Sequence, residues 1–231
     1  MSCYPPSKTH RGTYYGKSLP LSTHPTYSID VVSVHTAAMR IAFPFCLFIF
    51  LTSLVDAAPL PVPITHQATN YTCGPAALVS VLGYYGKSNT NESQLAELAN
   101  TTQAGTAILD LARVANNQGV LADFRDRLTW EDLEAVNRRG DLSIVAIQAW
   151  GDDPTAYRSG WSDGHYVVVV GMDTEKIYFM DPFMIGGHAS LTRTEFLSRW
   201  HDELGDGTKS QHPGILFKGL PSPPMEWSPI L

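Results

Sequence analysis

The chain has 231 residues, 44% hydrophobic and 16% charged, with a formal net charge of -6. That balance excludes an intrinsically disordered chain, which would be poorer in apolar residues and more strongly charged. The sequence contains no Lys/Arg cluster and its net charge is negative, so a nucleic-acid partner is not expected.

Residues 1–38 show no clear hydrophobic period and carry Lys8, Arg11 and Lys17 among scattered Pro, Ser and Tyr. Met39-Arg40 then leads into an apolar run over 41–55, followed by Asp56-Ala57-Ala58. A basic start, an apolar centre and small residues at a cut make residues 39–58 a predicted signal peptide, cleaved after Ala57. The run is shorter than the roughly 20 apolar residues of a membrane span. The alternative is a membrane anchor through residues 41–55, the chain's one expected membrane contact if the segment stays uncleaved. Met39 is the expected start, leaving residues 1–38 as an extension of uncertain status, either a start-site artefact or a cytoplasmic tail. The expected location is exported, periplasmic or secreted. A single domain over 59–220 and a Pro-rich tail over 221–231 complete the division.

Within that domain, Pro59, Pro61 and Pro63 predict a stiff, extended lead-in. Ala76, Ala77, Leu78, Val81, Leu82 and Tyr85 recur at helical spacing. Pro75 suits the first turn of that helix, and Gly86 ends it. Cys73 therefore falls at or just before a helix N-terminus. Helices are predicted over 92–100 and 106–117, and a short strand over 120–124. Thr129-Trp130-Glu131-Asp132 reads as a capping box opening a helix to about residue 137. The character then changes. Residues 142–150 predict a buried strand, and 151–164 a polar loop. The run His165-Tyr-Val-Val-Val-Val is the clearest strand in the chain. A turn over 172–175 and a returning strand over 176–180 follow, ended by Asp181-Pro182. A helix over 194–200 and a strand over 214–218 close the domain. Helices first and an antiparallel sheet second give an α+β fold with a helical lobe followed by a sheet lobe.

The candidate chemistry centres on Cys73. The other cysteines, Cys3 and Cys46, lie before or inside the predicted signal, so its removal leaves Cys73 as the only thiol. A structural reading makes it a small buried hydrophobe. A reactive reading requires a thiolate, which a helix N-terminus and a nearby imidazole favour. His165 supplies the imidazole, and Asp181 an orienting carboxylate, because the open ends of a hairpin turning near Asp173 bring the two together. Gln67 and the Cys73 backbone N–H are the candidate oxyanion donors. Trp150, Asp152, Asp153, Tyr157 and Trp161 fall on the loop bordering this site, where they hold substrate side chains or simply pack the loop. His66, His188, His201 and His212 lack metal-ligand spacing, and no metal is expected.

Gln67-x5-Cys73-Gly74-Pro75-Ala76, then Gly164-His165-Tyr166-Val167-Val168-Val169 and Asp181-Pro182, resembles the peptidase C39 family over about residues 64–218. These are papain-like cysteine peptidases, best known as the leader-cleaving domain of bacteriocin exporters. The resemblance implies Cys73 as nucleophile, His165 as base, Asp181 as its orienting residue and Gln67 as oxyanion donor. It implies peptide-bond hydrolysis through an acyl-enzyme, after a Gly-Gly pair in the exporter members. The chain departs from those members at Thr72, where they often carry Asp. It contains no Walker A motif, so neither ATP nor another cofactor is expected. The expected partner is a peptide or protein substrate. The rival readings are an amidase or transpeptidase acting on a non-protein amide, and a peptide-binding module without turnover.

Overall fold

The computed structural model describes residues 58–87, 89–150 and 154–219. The expected extension over 1–38, the signal segment up to residue 57 and the tail over 221–231 lie outside the described residues. In chain order the elements are α1 (Cys73–Tyr84), α2 (Glu92–Leu98), α3 (Ile108–Asn117), β1 (Leu121–Arg125), α4 (Trp130–Arg138), β2 (Ser143–Gln148), α5 (Pro154–Ser159), β3 (Gly164–Met172), β4 (Lys176–Met180), β5 (His188–Thr192), α6 (Arg193–Arg199), β6 (His201–Glu203), β7 (Lys209–Gln211) and β8 (Gly214–Lys218). No described helix is long and apolar enough to cross a membrane.

The valine run after His165 becomes the middle of the main sheet. The strand order is β1-β8-β2-β3-β4-β5, and every pairing is antiparallel. β6 and β7 form a separate ribbon. β3 is buried on both faces, which suits its β-branched side chains. Tyr166, Val168 and Val170 enter a core with Leu78 and Leu82 of α1, Leu95 of α2 and Leu111 of α3. Val167 and Val169 enter a second core with Leu133 of α4 and Phe196 of α6. The sheet is thus a layer between two groups of helices. Each buried valine contributes about 1.5–3 kcal/mol through removal from water.

The expected α+β fold is present, with local differences that have physical causes. The predicted loop over 151–164 contains α5, opened by Pro154 at its first position, where the missing N–H costs nothing. β5 was not foreseen because its side chains alternate between exposed and half-buried, which leaves no apolar period to detect. β6 and β7 have three residues each, too few for any periodicity. α1 is buried on nearly all its faces, so its ends are marked by Pro75 and by Gly86, whose φ is 73°.

The Pro-rich lead-in is fastened across the β3–β4 hairpin. The Leu60 N–H donates to the Val170 carbonyl at 2.7 Å, and the Gln67 N–H to the Pro182 carbonyl at 3.0 Å. The register between β3 and β4 shifts between Val169 and Gly171, so Val170 forms a bulge.

Candidate active site

His165 stands at the start of β3 and Asp181 just after the end of β4, where the open end of the hairpin brings them together. His165 Nε2 and Asp181 Oδ1 are 2.7 Å apart, and His165 is 1% exposed. The same Oδ1 accepts the Phe183 N–H at 2.8 Å. Burial pushes the Asp181 carboxyl up, but the His165 hydrogen bond and charge, with the Phe183 and Met184 amides, outweigh it. The group is held below the ordinary carboxylate value. A charged Asp181 accepts, so Nε2 carries a proton, and in the neutral imidazole it is Nδ1 that holds the lone pair. That Nδ1 is buried and has no hydrogen-bond partner among the described residues. The imidazole is therefore held in one tautomer, with its basic nitrogen turned away from the carboxylate.

Gln67 is tied to the same strand end by its backbone bond to Pro182. The next residue, Ala68, donates its N–H to the Glu92 carboxylate at 2.9 Å, so the loop is pinned on both sides. Gln67 Nε2 gives one proton to the Thr69 carbonyl at 2.7 Å, and Oε1 is buried without a hydrogen-bond partner among the described residues. Exchanging the amide oxygen and nitrogen would set two acceptors face to face, so this orientation is the favoured one. It leaves Nε2 a second proton for an oxyanion.

Cys73 is the first residue of α1 and is 1% exposed. The Thr72 side chain turns back to Thr69 and leaves the helix without a side-chain cap. Residue 74 must be small for the helix to sit here. A Cβ on Gly74 would meet Leu111 Cδ1 at 2.9 Å and the Tyr166 ring at 3.1 Å. The helix start is thus pressed against the residue next to His165. Cys73 is disulfide-bonded in this structure, and its partner lies outside the described residues. A nucleophilic role therefore concerns the reduced chain.

The structure brings His165, Asp181 and Gln67 to one strand end, while Cys73, at the start of α1, lies in the core that Tyr166 also enters. Sequence reasoning gave Trp150 only a substrate-holding or loop-packing role and did not single out Phe183. The Trp150 ring centroid lies 5.6 Å from that of His165 and 4.5 Å from that of Phe183, so the two aromatics wall the His165–Asp181 pair. Their only signal is position, directly after β2 and two residues past Asp181. Tyr157, also on the predicted loop, instead packs under the Arg199 guanidinium, 3.5 Å from its ring centroid. His188, His201 and His212 bond the backbone carbonyls of Gly186, Gly160 and Leu128, and are structural. Among the described residues, no His, Cys, Asp and Glu cluster could hold a metal ion.

A family model described as the peptidase C39 family matches residues 61–204. An uncharacterized protein of Methanothermobacter marburgensis is 36% identical over 121 residues, which are 52% of this chain and 72% of that one. The transport/processing ATP-binding protein MesD of Leuconostoc mesenteroides is 28% identical over 148 residues, which are 60% of this chain but 18% of that protein. The peptidase domain of Streptococcus ComA, a bi-functional ABC transporter involved in a quorum sensing pathway, matches in structure with a TM-score of 0.51. Its identity is 22%, and the match covers 68% of this chain and 98% of that domain. The likeness to that domain is one of fold, the papain-like arrangement of helices and antiparallel sheet. With the matched residues spanning more than half of its length, the chain belongs to the peptidase C39 family.

Proposed function

We propose that this chain is an exported cysteine peptidase that cleaves peptide bonds through an acyl-enzyme on Cys73. The observation that carries the proposal is the His165–Asp181 bond of 2.7 Å, together with a buried Nδ1 free of hydrogen-bond partners among the described residues. That is the arrangement a thiol needs in a base. In the reduced chain Nδ1 takes the Cys73 proton, and the thiolate attacks the substrate carbonyl carbon. The new C–S bond pushes an electron pair onto oxygen, where the Gln67 amide and the Cys73 N–H stabilise it. Collapse of the intermediate breaks the C–N bond, and the leaving amine takes the proton back from Nδ1. Water, deprotonated by the same nitrogen, then cleaves the thioester to an acid and regenerates the thiol. The domain is delivered across the membrane by residues 39–58. Cleavage after Gly-Gly is the specificity implied by the family resemblance.

The test uses the reduced protein and iodoacetamide, with labelling mapped to Cys73 by mass spectrometry. At pH 6, Cys73 is expected to react much faster than a free model thiol, because a thiol of pKa about 8.5 is there almost wholly protonated. His165→Ala is expected to remove that advantage, and Gln67→Ala to reduce peptide cleavage while leaving labelling fast. Labelling of Cys73 at the model-thiol rate would overturn the catalytic reading. A peptide library containing Gly-Gly sequences tests the specificity separately.

A further inference from the structure

The backbone around Gln67 is held from two sides. The Gln67 N–H donates to the Pro182 carbonyl at 3.0 Å, and the Ala68 N–H to the Glu92 carboxylate oxygens at 2.9 and 3.1 Å. These bonds fix the main chain and leave the side-chain amide to be aimed by another group. That group is the Thr69 carbonyl, which accepts Gln67 Nε2 at 2.7 Å. The placement of the Thr69 peptide therefore decides where the second Nε2 proton points, and an oxyanion donor works only where it is aimed.

Thr72 holds that peptide. Its Oγ1 accepts the Thr69 N–H at 3.1 Å, donates to the Thr69 carbonyl at 3.3 Å and lies 3.0 Å from Thr69 Oγ1. A hydroxyl has one proton and two lone pairs, so these three contacts direct its whole capacity at Thr69. Thr72 is 5% exposed, which keeps water from competing. It is also the N-cap residue of α1, where a Thr hydroxyl ordinarily bonds the first turn of its own helix, yet it makes no cap bond. Its hydroxyl serves the loop and not the helix. Valine has the same shape, so packing alone does not call for Thr here. A charged Asp, which the exporter members often carry at this position, accepts the Thr69 N–H but has no proton for the carbonyl. The peptide that follows Thr72 carries the Cys73 N–H, the other candidate oxyanion donor. Thr72 thus ties the anchor of one donor to the peptide that bears the other.

We infer that Thr72 is a positioning residue, whose hydroxyl holds the Thr69 peptide and through it aims the Gln67 amide. The effect on catalysis rests on the peptidase reading; the placement of the amide does not.

Two measurements keep those apart. In the first, proton–nitrogen NMR spectra of the full reduced chain follow the Gln67 side-chain amide, identified by its absence in Gln67→Ala. Its bond to Thr69 predicts one slowly exchanging proton. Thr72→Val is expected to speed that exchange at least about tenfold, and Thr72→Ser, which keeps the hydroxyl, to leave it slow. Thr72→Ala, a second variant without the hydroxyl, is expected to match Thr72→Val. Exchange that stays slow in both overturns the placement, whether or not the protein is a peptidase.

In the second, peptide cleavage is measured beside iodoacetamide labelling. Removing an oxyanion donor costs about 10²–10³ in kcat, and Thr72→Val is expected to cost at least about tenfold of it. KM and Cys73 labelling should stay as in wild type, and Thr72→Ser should restore kcat. In a Gln67→Ala background Thr72→Val is expected to change kcat by less than about twofold, because it acts through that amide. A wild-type kcat, slower labelling, an equal loss in the Gln67→Ala background, or a loss that Thr72→Ser does not restore overturns the catalytic effect and leaves the peptidase reading standing. No cleavage by wild type and no rapid Cys73 labelling sink the peptidase reading and the catalytic effect with it, while the spectra still decide the placement of the amide.

Discussion

Replacing Asp181 by Ala tests whether the His165–Asp181 pair acts on the thiol. Two hydrogen bonds converge on Oδ1, from His165 Nε2 at 2.7 Å and from the Phe183 amide at 2.8 Å. A hydrogen bond to a charged group contributes about 1.5–3 kcal/mol. At about 1.4 kcal/mol per tenfold, loss of the His165 bond is expected to slow thiolate-dependent steps by about 10- to 150-fold. Loss of the Phe183 bond, the second on this carboxylate, is expected in stability, at about 1.5–3 kcal/mol. The assay is iodoacetamide labelling of reduced Cys73 from pH 5 to 9, with urea unfolding of the same samples. The wild-type rate should stay high at pH 6, whereas that of Asp181→Ala should rise only along an ordinary thiol titration. Asp181→Asn keeps an oxygen acceptor without the charge, so its rate should fall between the two. A folded Asp181→Ala protein that labels like wild type at every pH would refute the reasoning.

Two further substitutions read the surroundings of the site. Gly74→Ala places a Cβ at 2.9 Å from Leu111 and 3.1 Å from Tyr166. Overpacking costs about 1–3 kcal/mol, and helix propensity returns about 1 kcal/mol. An unfolding free energy in urea lowered by up to about 2 kcal/mol and slower Cys73 labelling are expected, and wild-type values for both would contradict the close approach of α1 to β3. For Asp202, burial raises the carboxyl to about 8, against the opposing Glu203 amide and Gln148 bonds. The folded state then keeps a proton that the unfolded chain loses near pH 4. The associated stability is complete below about pH 4 and is lost as pH rises toward 8, with a slope of at most about 1.4 kcal/mol per pH unit. Burial lowers His201 from its ordinary value, which gives the opposite slope near pH 6.5. Asp181, held low, affects only the acid end, where its stabilisation is lost as pH falls through its folded value. Comparing urea midpoints of wild type and Asp202→Asn from pH 5 to 7.5 isolates the Asp202 part. Parallel curves would show that its carboxyl titrates normally.

The parts of the site that were legible in the sequence are those whose signals are local and redundant. The valine run of β3 announces a strand buried on both faces. Helical spacing of the apolar residues from Ala76 to Tyr85, bracketed by Pro75 and Gly86, announces α1. The Asp181-Pro182 step ends β4 where the hairpin needs to end. The rest depends on contacts between distant segments. Nothing near Gln148 or Asp202 predicts that their side chains meet across 54 positions. Gly74 is ordinary in sequence, and only the packing of Leu111 and Tyr166 makes its missing Cβ necessary. Trp150 could be placed at the site's border, but not against His165.

The hairpin itself holds the least legible and most consequential feature. Next to the turn, Met172 pairs with Ile177 and Gly171 with Tyr178. Continued without interruption, that register would set Asp181 opposite Val168, whose side chain enters the core with α1. Asp181 would then face away from His165, because successive strand residues point to opposite faces. The bulge at Val170 absorbs one residue, so Val169 pairs with Phe179 and Val168 with Met180. One step further, Asp181 falls opposite Val167, on the face that His165 shares. The bulge therefore decides whether the carboxylate meets the imidazole at all. It is also where the lead-in is fastened, since the Val170 carbonyl accepts the Leu60 N–H at 2.7 Å. The same lead-in ends at Gln67, bonded to Pro182 beside Asp181. One extended segment thus joins the register defect that orients the His165–Asp181 pair to the amide proposed to serve the oxyanion.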